Sequence, residues 1–189
     1  WLGWKERSGH SLFASERRLR KPLRQELADL YPLINSYKIW HQLGLVVGRP
    51  VWRRLFIDDC GLFMLDPKPA FYLAQPCVNP LIALERCRSA EEYRHLPLEF
   101  AGDVFYLGLI IYYYLTGEIP FLLRKGWPTQ KILAGEIINP HLYRSTLPAG
   151  LGRLITSMLA PEPSQRPSID TIAGLWNEYL KLDQVLVKP

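Results

Sequence analysis

Asp103-Val104-Phe105-Tyr106-Leu107-Gly108 decides the fold, together with its continuation Leu109-Ile110-Ile111-Tyr112-Tyr113-Tyr114-Leu115-Thr116-Gly117 and Glu118-Ile119-Pro120-Phe121. A single acid opens a run that is apolar on every face, and a helix without a polar side is one surrounded by protein. A Thr-Gly turn followed by Ile-Pro-Phe closes it. The apolar run from Val104 to Leu115 is about twelve residues, whereas a bilayer span takes about 20. The stretch therefore reads as a buried core helix over residues 101–116.

Outward from it, Leu151, Leu154, Ile155, Met158 and Leu159 fall at i, i+3, i+4, i+7 and i+8, one face of a further helix. Ser168 is a good N-cap for a last helix with Ile169, Ile172, Leu175, Trp176 and Tyr179 turned inward. Upstream, Leu23, Leu27, Leu30, Ile34, Tyr37 and His41 alternate spacings of four and three. Pro32 lies inside that pattern and is expected to kink the helix or divide it in two. Short apolar runs alternate with turns over 45–65, where Asp58-Asp59-Cys60-Gly61 reads as the turn of a small hairpin. Residues 66–100 carry four prolines before Cys87 and little periodicity, so a long ordered loop is expected. Residues 128–135 read as a short surface helix, and 1–21 as irregular and basic. The whole is mainly α with a small β-hairpin.

At 189 residues the chain is one domain, long enough to bury a core. Cys60, Cys77 and Cys87 are too few for a disulfide framework and read as thiols in a reducing compartment, with a cytoplasmic location expected. No signal peptide is visible, and the start at Trp1 is read as that of a piece of a longer protein. The net charge of +5 is concentrated in part at Arg17, Arg18, Arg20, Lys21 and Arg24. Such a run can bind nucleic acid or acidic lipid. No nucleic-acid motif accompanies it, so an ordinary solvated helix start is the better reading. His10, His41, His95 and His141 show no metal-ligand spacing.

Four blocks in order carry a family resemblance. Asp103 to Phe121 resembles the central buried helix of the protein kinase C-terminal lobe, D-[VI]-[YFW]-x-[LF]-G…L-x-G-x-x-P-F. Leu154-Ile155-Thr156-Ser157-Met158-Leu159-Ala160-Pro161-Glu162-Pro163-Ser164-Gln165-Arg166-Pro167-Ser168 is similar to the kinase pattern L-I-x-x-M-L-x-x-[DE]-P-x-x-R-P-[ST]. Twelve residues before Asp103 lies Glu91, in the place of the A/S-P-E triplet, with Ala90 where that triplet has proline. His41-Gln42-Leu43-Gly44-Leu45-Val46-Val47-Gly48-Arg49 is similar to H-x-x-G-[IL]-[IV]-H-R-D. Ser8-Gly9-His10-Ser11-Leu12 resembles the stretch after the kinase hinge. The resemblance covers roughly residues 8–181. It implies a kinase-like C-terminal lobe, and the sequence holds no glycine-rich strand–loop–strand, so the N-terminal β-lobe is read as missing from this chain. It divides into a basic post-hinge segment (1–21) and the lobe (22–181), followed by a tail (182–189). Within the lobe lie a catalytic-loop region (45–65), an activation-segment-like loop (66–91), the central helix (101–116) and C-terminal helices (149–181).

Kinase chemistry rests on positioning and charge neutralisation. Counted from Gly44, the catalytic-loop histidine falls on Val47, the arginine on Gly48 and the catalytic aspartate on Arg49. The lysine falls on Val51 and the magnesium-binding asparagine on Arg54. The D-F-G position is best matched by Asp66-Pro67-Lys68. Guanidinium cannot take a proton at neutral pH, nor can it ligate a metal. Two alternatives stand for Arg49 and Arg54. One of them pairs with Asp66 and puts an internal cation where magnesium would sit, or both face solvent. Their forks also suit phosphate, so ATP without magnesium is a conceivable ligand. The framework positions differ from the catalytic ones in being kept. The resemblance implies that Asp103 accepts hydrogen bonds from catalytic-loop amides and that Glu91 pairs with Arg166, with Glu99 as the second choice. Gly108 belongs to the same framework.

The sequence therefore implies a catalytically inactive, kinase-like domain, a pseudokinase, acting through protein partners or other domains of its own chain. No resident cofactor or metal is expected. One rival is a divergent kinase or ATP-dependent phosphotransferase, for which Asp66 speaks. The other is a basic helical adaptor for nucleic acid or lipid, resting on residues 17–24.

Overall fold

Residues 102 to 113 are all buried, and the rest of the molecule is arranged around them. The computed structural model describes residues 10–11, 21–50, 55–58, 61–64, 87–121 and 129–185. Their elements follow the order β1 (His10–Ser11), α1 (Leu23–Gln42), β2 (Leu55–Asp58), β3 (Gly61–Met64), α2 (Ala90–Tyr93), α3 (Phe100–Thr116), α4 (Thr129–Leu133), α5 (Ala149–Met158) and α6 (Ile169–Val185). Single 3-10 turns lie at Pro140–Leu142 and Pro163–Gln165. The described chain is mostly helical. None of its helices is long and apolar enough to cross a membrane.

The central helix α3 packs against α1, α5 and the 3-10 turn at Pro163–Gln165. Gly108 permits the α5 contact: a Cβ there would lie 2.9 Å from Met158 Cβ and 3.1 Å from Leu159 Cδ2. Gly117 ends α3 in the left-handed conformation at φ 77°, and its amide donates to the Tyr113 carbonyl over 2.8 Å. Of the three consecutive tyrosines, Tyr112 and Tyr113 are buried, and the Tyr112 hydroxyl donates to the Ile138 carbonyl at 3.0 Å.

Of the two outcomes expected at Pro32, division does not occur: α1 runs without interruption over its 20 residues. The reason lies in what the two halves bury. Leu27 and Leu30 before the proline and Leu33, Ile34 and Tyr37 after it are at most 2% exposed. Burying five such side chains outweighs the ~3 kcal/mol that an internal proline costs. The same face docks on α6, where the Trp176 indole N–H donates to the Leu27 carbonyl at 2.9 Å.

The expected hairpin is present as β2 and β3, antiparallel, with Asp58 opposite Gly61. Asp59 and Cys60, the residues between, lie outside the described residues. Where an irregular segment was expected, His10–Ser11 adds a third antiparallel strand, His10 opposite Ile57 and Ser11 opposite Phe56. Two residues carry no periodicity of their own, so such a strand exists only by pairing with an edge already formed. At the other end α6 runs on to Val185, past the expected boundary at 181.

Candidate functional site

The turn after α1 is built by two glycines. Gly44 and Gly48 have φ of 73° and 76°, the left-handed region that a side chain rarely adopts. Between them the backbone turns back on the start of α3, and the Asp103 carboxylate holds it there. The Val47 amide donates to Oδ2 at 2.8 Å and the Gly48 amide to Oδ1 at 2.7 Å. His41 Nε2 donates to Oδ2 at 2.9 Å, the carboxylate being an acceptor only. Asp103 is fully buried, and a carboxylate taken out of water survives only when hydrogen-bonded in this way. The His41 ring lies 4.5 Å from that of Phe100, so the imidazole is held between an apolar ring and the buried acid. Next to it the Tyr37 hydroxyl is buried without a hydrogen-bond partner among the described residues, and burial, with the Asp103 charge, pushes its phenol well above the usual range.

Arg49 follows directly and is exposed. Val51, Arg54 and Asp66, along with Cys60, Cys77 and the basic run 17–20, lie outside the described residues, and so does the pairing of either arginine with Asp66. Among the described residues no three His, Cys, Asp or Glu side chains are grouped to hold a metal. Cys87 is buried, and burial pushes its thiol up to about 12, which removes the thiolate a nucleophile needs.

A second cluster joins α2 to the segment before α6. Arg166 donates from both terminal nitrogens to Glu91, at 2.6 Å to Oε1 and 2.7 Å to Oε2. The same guanidinium donates to the carbonyls of Ala160 (2.8 Å), Ala101 (2.7 Å) and Pro161 (3.2 Å), and lies 5.2 Å from the Phe105 ring centroid. Its side chain is 0% exposed and that of Glu91 6%. Glu99, the second-choice partner, instead occupies the N-cap position of α3. Ser89 caps α2 reciprocally with Glu92 and is wholly buried. Arg94 reinforces the junction from outside, gripping Glu162 with both nitrogens at 3.1 and 2.7 Å.

Sequence reasoning missed a third cluster. Glu26 on α1 pairs with Arg144, which also donates to the Leu115 carbonyl at 3.1 Å. One turn on, Asp29 accepts from Lys21 Nζ and from the Tyr114 hydroxyl, each at 2.7 Å. Burial holds the Glu26 carboxyl above its usual range, against the opposing pull of Arg144. The partners lie 118 and 85 residues apart, so no local pattern announces them.

No protein-family profile matches this sequence. A stretch of 87 residues, 46% of the chain, is 37% identical to part of the dual specificity protein kinase pyk3 of Dictyostelium discoideum. The relationship is kinase-like over part of the chain. The match spans 6% of that protein's length.

Proposed function

We propose that this chain is a catalytically inactive, kinase-like domain that acts as a regulatory module by binding protein, either a partner or another domain of its own chain. The observation that carries the reading is the contrast at residues 47–49. Their backbone is held by a buried aspartate through two amide hydrogen bonds, yet the next side chain is an exposed arginine. By the resemblance, this is where a kinase presents the acid that orients the substrate hydroxyl. A guanidinium in that place can neither accept the proton nor hold magnesium. The support for the reading is thus a framework retained for its backbone geometry at a position whose chemistry has been replaced.

A thermal-shift titration of the protein with ATP, with and without magnesium, tests this. Binding to the native state alone stabilises by RT ln(1 + [L]/Kd), about 2.7 kcal/mol at a hundredfold excess over Kd. No shift in either condition is the expected result. A shift that requires magnesium would refute the inactive reading in favour of a divergent phosphotransferase. A shift without magnesium would instead assign the arginines to a nucleotide phosphate.

A further inference from the structure

A cleft of about 620 Å³ opens between the segment leading through the 3-10 turn at Pro140–Leu142 and the outer face of α5. Its volume falls in the range of ligand-binding sites. Ile137, Ala149, Ala160 and Pro161 give it an apolar lining. The polar groups that remain are arranged by kind.

Arg153 and His141 line the cleft, and no Asp or Glu does. The arginines around it are engaged: Arg94 by Glu162, Arg144 by Glu26 and Arg166 by Glu91. Arg153 and His141 make no side-chain hydrogen bond or ion pair among the described residues. Glu136 and Glu162, the acids next to lining residues in sequence, are turned to Lys131 and Arg94. The cleft therefore keeps a guanidinium without a counter-charge, beside an imidazole whose ring makes no hydrogen bond among the described residues. Gly152 allows this arrangement, since a Cβ there would lie 2.8 Å from His141 Nε2.

The hydroxyls point to what else the occupant must offer. Thr156 donates to the Gly152 carbonyl at 2.9 Å and Ser157 to the Leu154 carbonyl at 2.8 Å. Their protons are thus committed to their own helix, and their oxygens are left as acceptors. Asn139 is the reverse: its Oδ1 already accepts from the His141 amide at 3.0 Å, leaving its NH₂ to donate. Acceptors for N–H groups, a donor for a carbonyl and an unpaired guanidinium beside an imidazole match an extended peptide with one carboxylate side chain.

We propose that this cleft binds a short acidic peptide segment of a partner protein, its carboxylate on Arg153 and His141 and its backbone along Asn139, Thr156 and Ser157. The proposal rests on the protein-binding reading above and names the surface and the chemistry of the partner.

The test uses the full chain, labelled with ¹⁵N, and three pools of end-blocked heptapeptides. The central residue is Glu, Gln or Lys, and the flanking positions are drawn from Ala, Leu and Val. The Glu pool should shift the amide signals of Asn139, Thr156 and Ser157 saturably, and the Gln pool should bind more weakly. Arg153→Ala should weaken the Glu pool about fivefold, the upper end for a partly exposed ion pair. Arg153→Glu should transfer the preference to the Lys pool. Arg153 is exposed, so both variants should keep the wild-type thermal midpoint. Gly152→Ala, which displaces the imidazole, should weaken the Glu pool without unfolding α5. Equal binding of the Glu and Gln pools would overturn the proposal. So would shifts confined to residues outside the cleft, or an Arg153→Glu variant with the wild-type preference. The titration contains no nucleotide, so magnesium-dependent ATP binding would sink the inactive reading and leave this result standing. A silent cleft in a protein that ignores ATP would do the reverse.

Discussion

Replacing Glu91 by Gln keeps the shape of the Glu91–Arg166 junction and removes its negative charge. Arg166 would then be a buried cation facing an amide, with its three backbone carbonyls still in place. Breaking one partner of a buried ion pair costs about 3–5 kcal/mol. The carbonyls continue to solvate the guanidinium, so the expected loss is at the lower end, about 3 kcal/mol. For a domain of this size that corresponds to a fall in Tm of roughly 6–12 °C, at 2–4 °C per kcal/mol. Urea unfolding followed by tryptophan fluorescence is a suitable assay, because Trp176 is fully buried in the core. The midpoint should move and the slope should not. Glu162→Gln is the internal control: its partner Arg94 also makes a bidentate contact, but at the exposed surface, where solvent screens it, and the midpoint should hardly move. A Glu91→Gln midpoint indistinguishable from wild type would refute the reasoning, since Arg166 would then be satisfied by carbonyls alone.

Asp103→Asn keeps one acceptor oxygen, so one of the Val47 and Gly48 amides should face an NH₂ group and exchange faster, with a stability loss of about 1.5–3 kcal/mol for bonds to a charged group. Unchanged protection of both amides would contradict the role given to the carboxylate. Gly108→Ala would ordinarily favour a helix by ~1 kcal/mol. Here the added methyl meets a backbone-anchored Met158 Cβ at 2.9 Å, so a net loss of about 1–3 kcal/mol is expected, readable as a lower Tm. Glu26 supplies a pH dependence. Its folded pKa lies above the ordinary 4.5, so the native state holds the proton more tightly than the unfolded chain. The stabilisation from this group is complete below 4.5 and is lost as pH rises through the folded pKa. Glu26→Gln should remove that slope from the urea midpoint measured between pH 4 and 8; an identical slope in the variant would contradict the assignment.

The central helix could be read from sequence because nothing competes with an uninterrupted apolar run closed by Thr116-Gly117. The helices α5 and α6 announced themselves by the period of Leu151, Leu154, Ile155 and Met158 and by Ser168. That Pro32 does not divide α1 was not legible, because the local propensity says nothing of the tertiary burial of Leu27 through Tyr37. The strand at His10–Ser11 was invisible because two residues have no pattern apart from their partner. The placement of Asp103, Glu91 and Arg166 rested on counting from a resemblance, since composition says nothing of which carboxylate meets which guanidinium. The Glu26–Arg144 and Asp29–Tyr114 contacts had no such guide. Nor did the cleft, whose donors and acceptors are sorted only once Thr156, Ser157 and Asn139 have used half of their capacity elsewhere.

The indole of Trp176 and the carbonyl it meets at Leu27 are separated by 149 positions. The chain is made from its N-terminus, so α1 emerges from the ribosome well before α6, the helix that carries Trp176. At 5–20 residues per second that interval is roughly 7–30 s, long against the microseconds a helix needs to form. During it β3 and α3 can already meet α1, but the part of that helix bound for α6 lacks its partner and is the kind of surface that chaperones hold. The contact between Trp176 and Leu27 therefore waits for synthesis of α6.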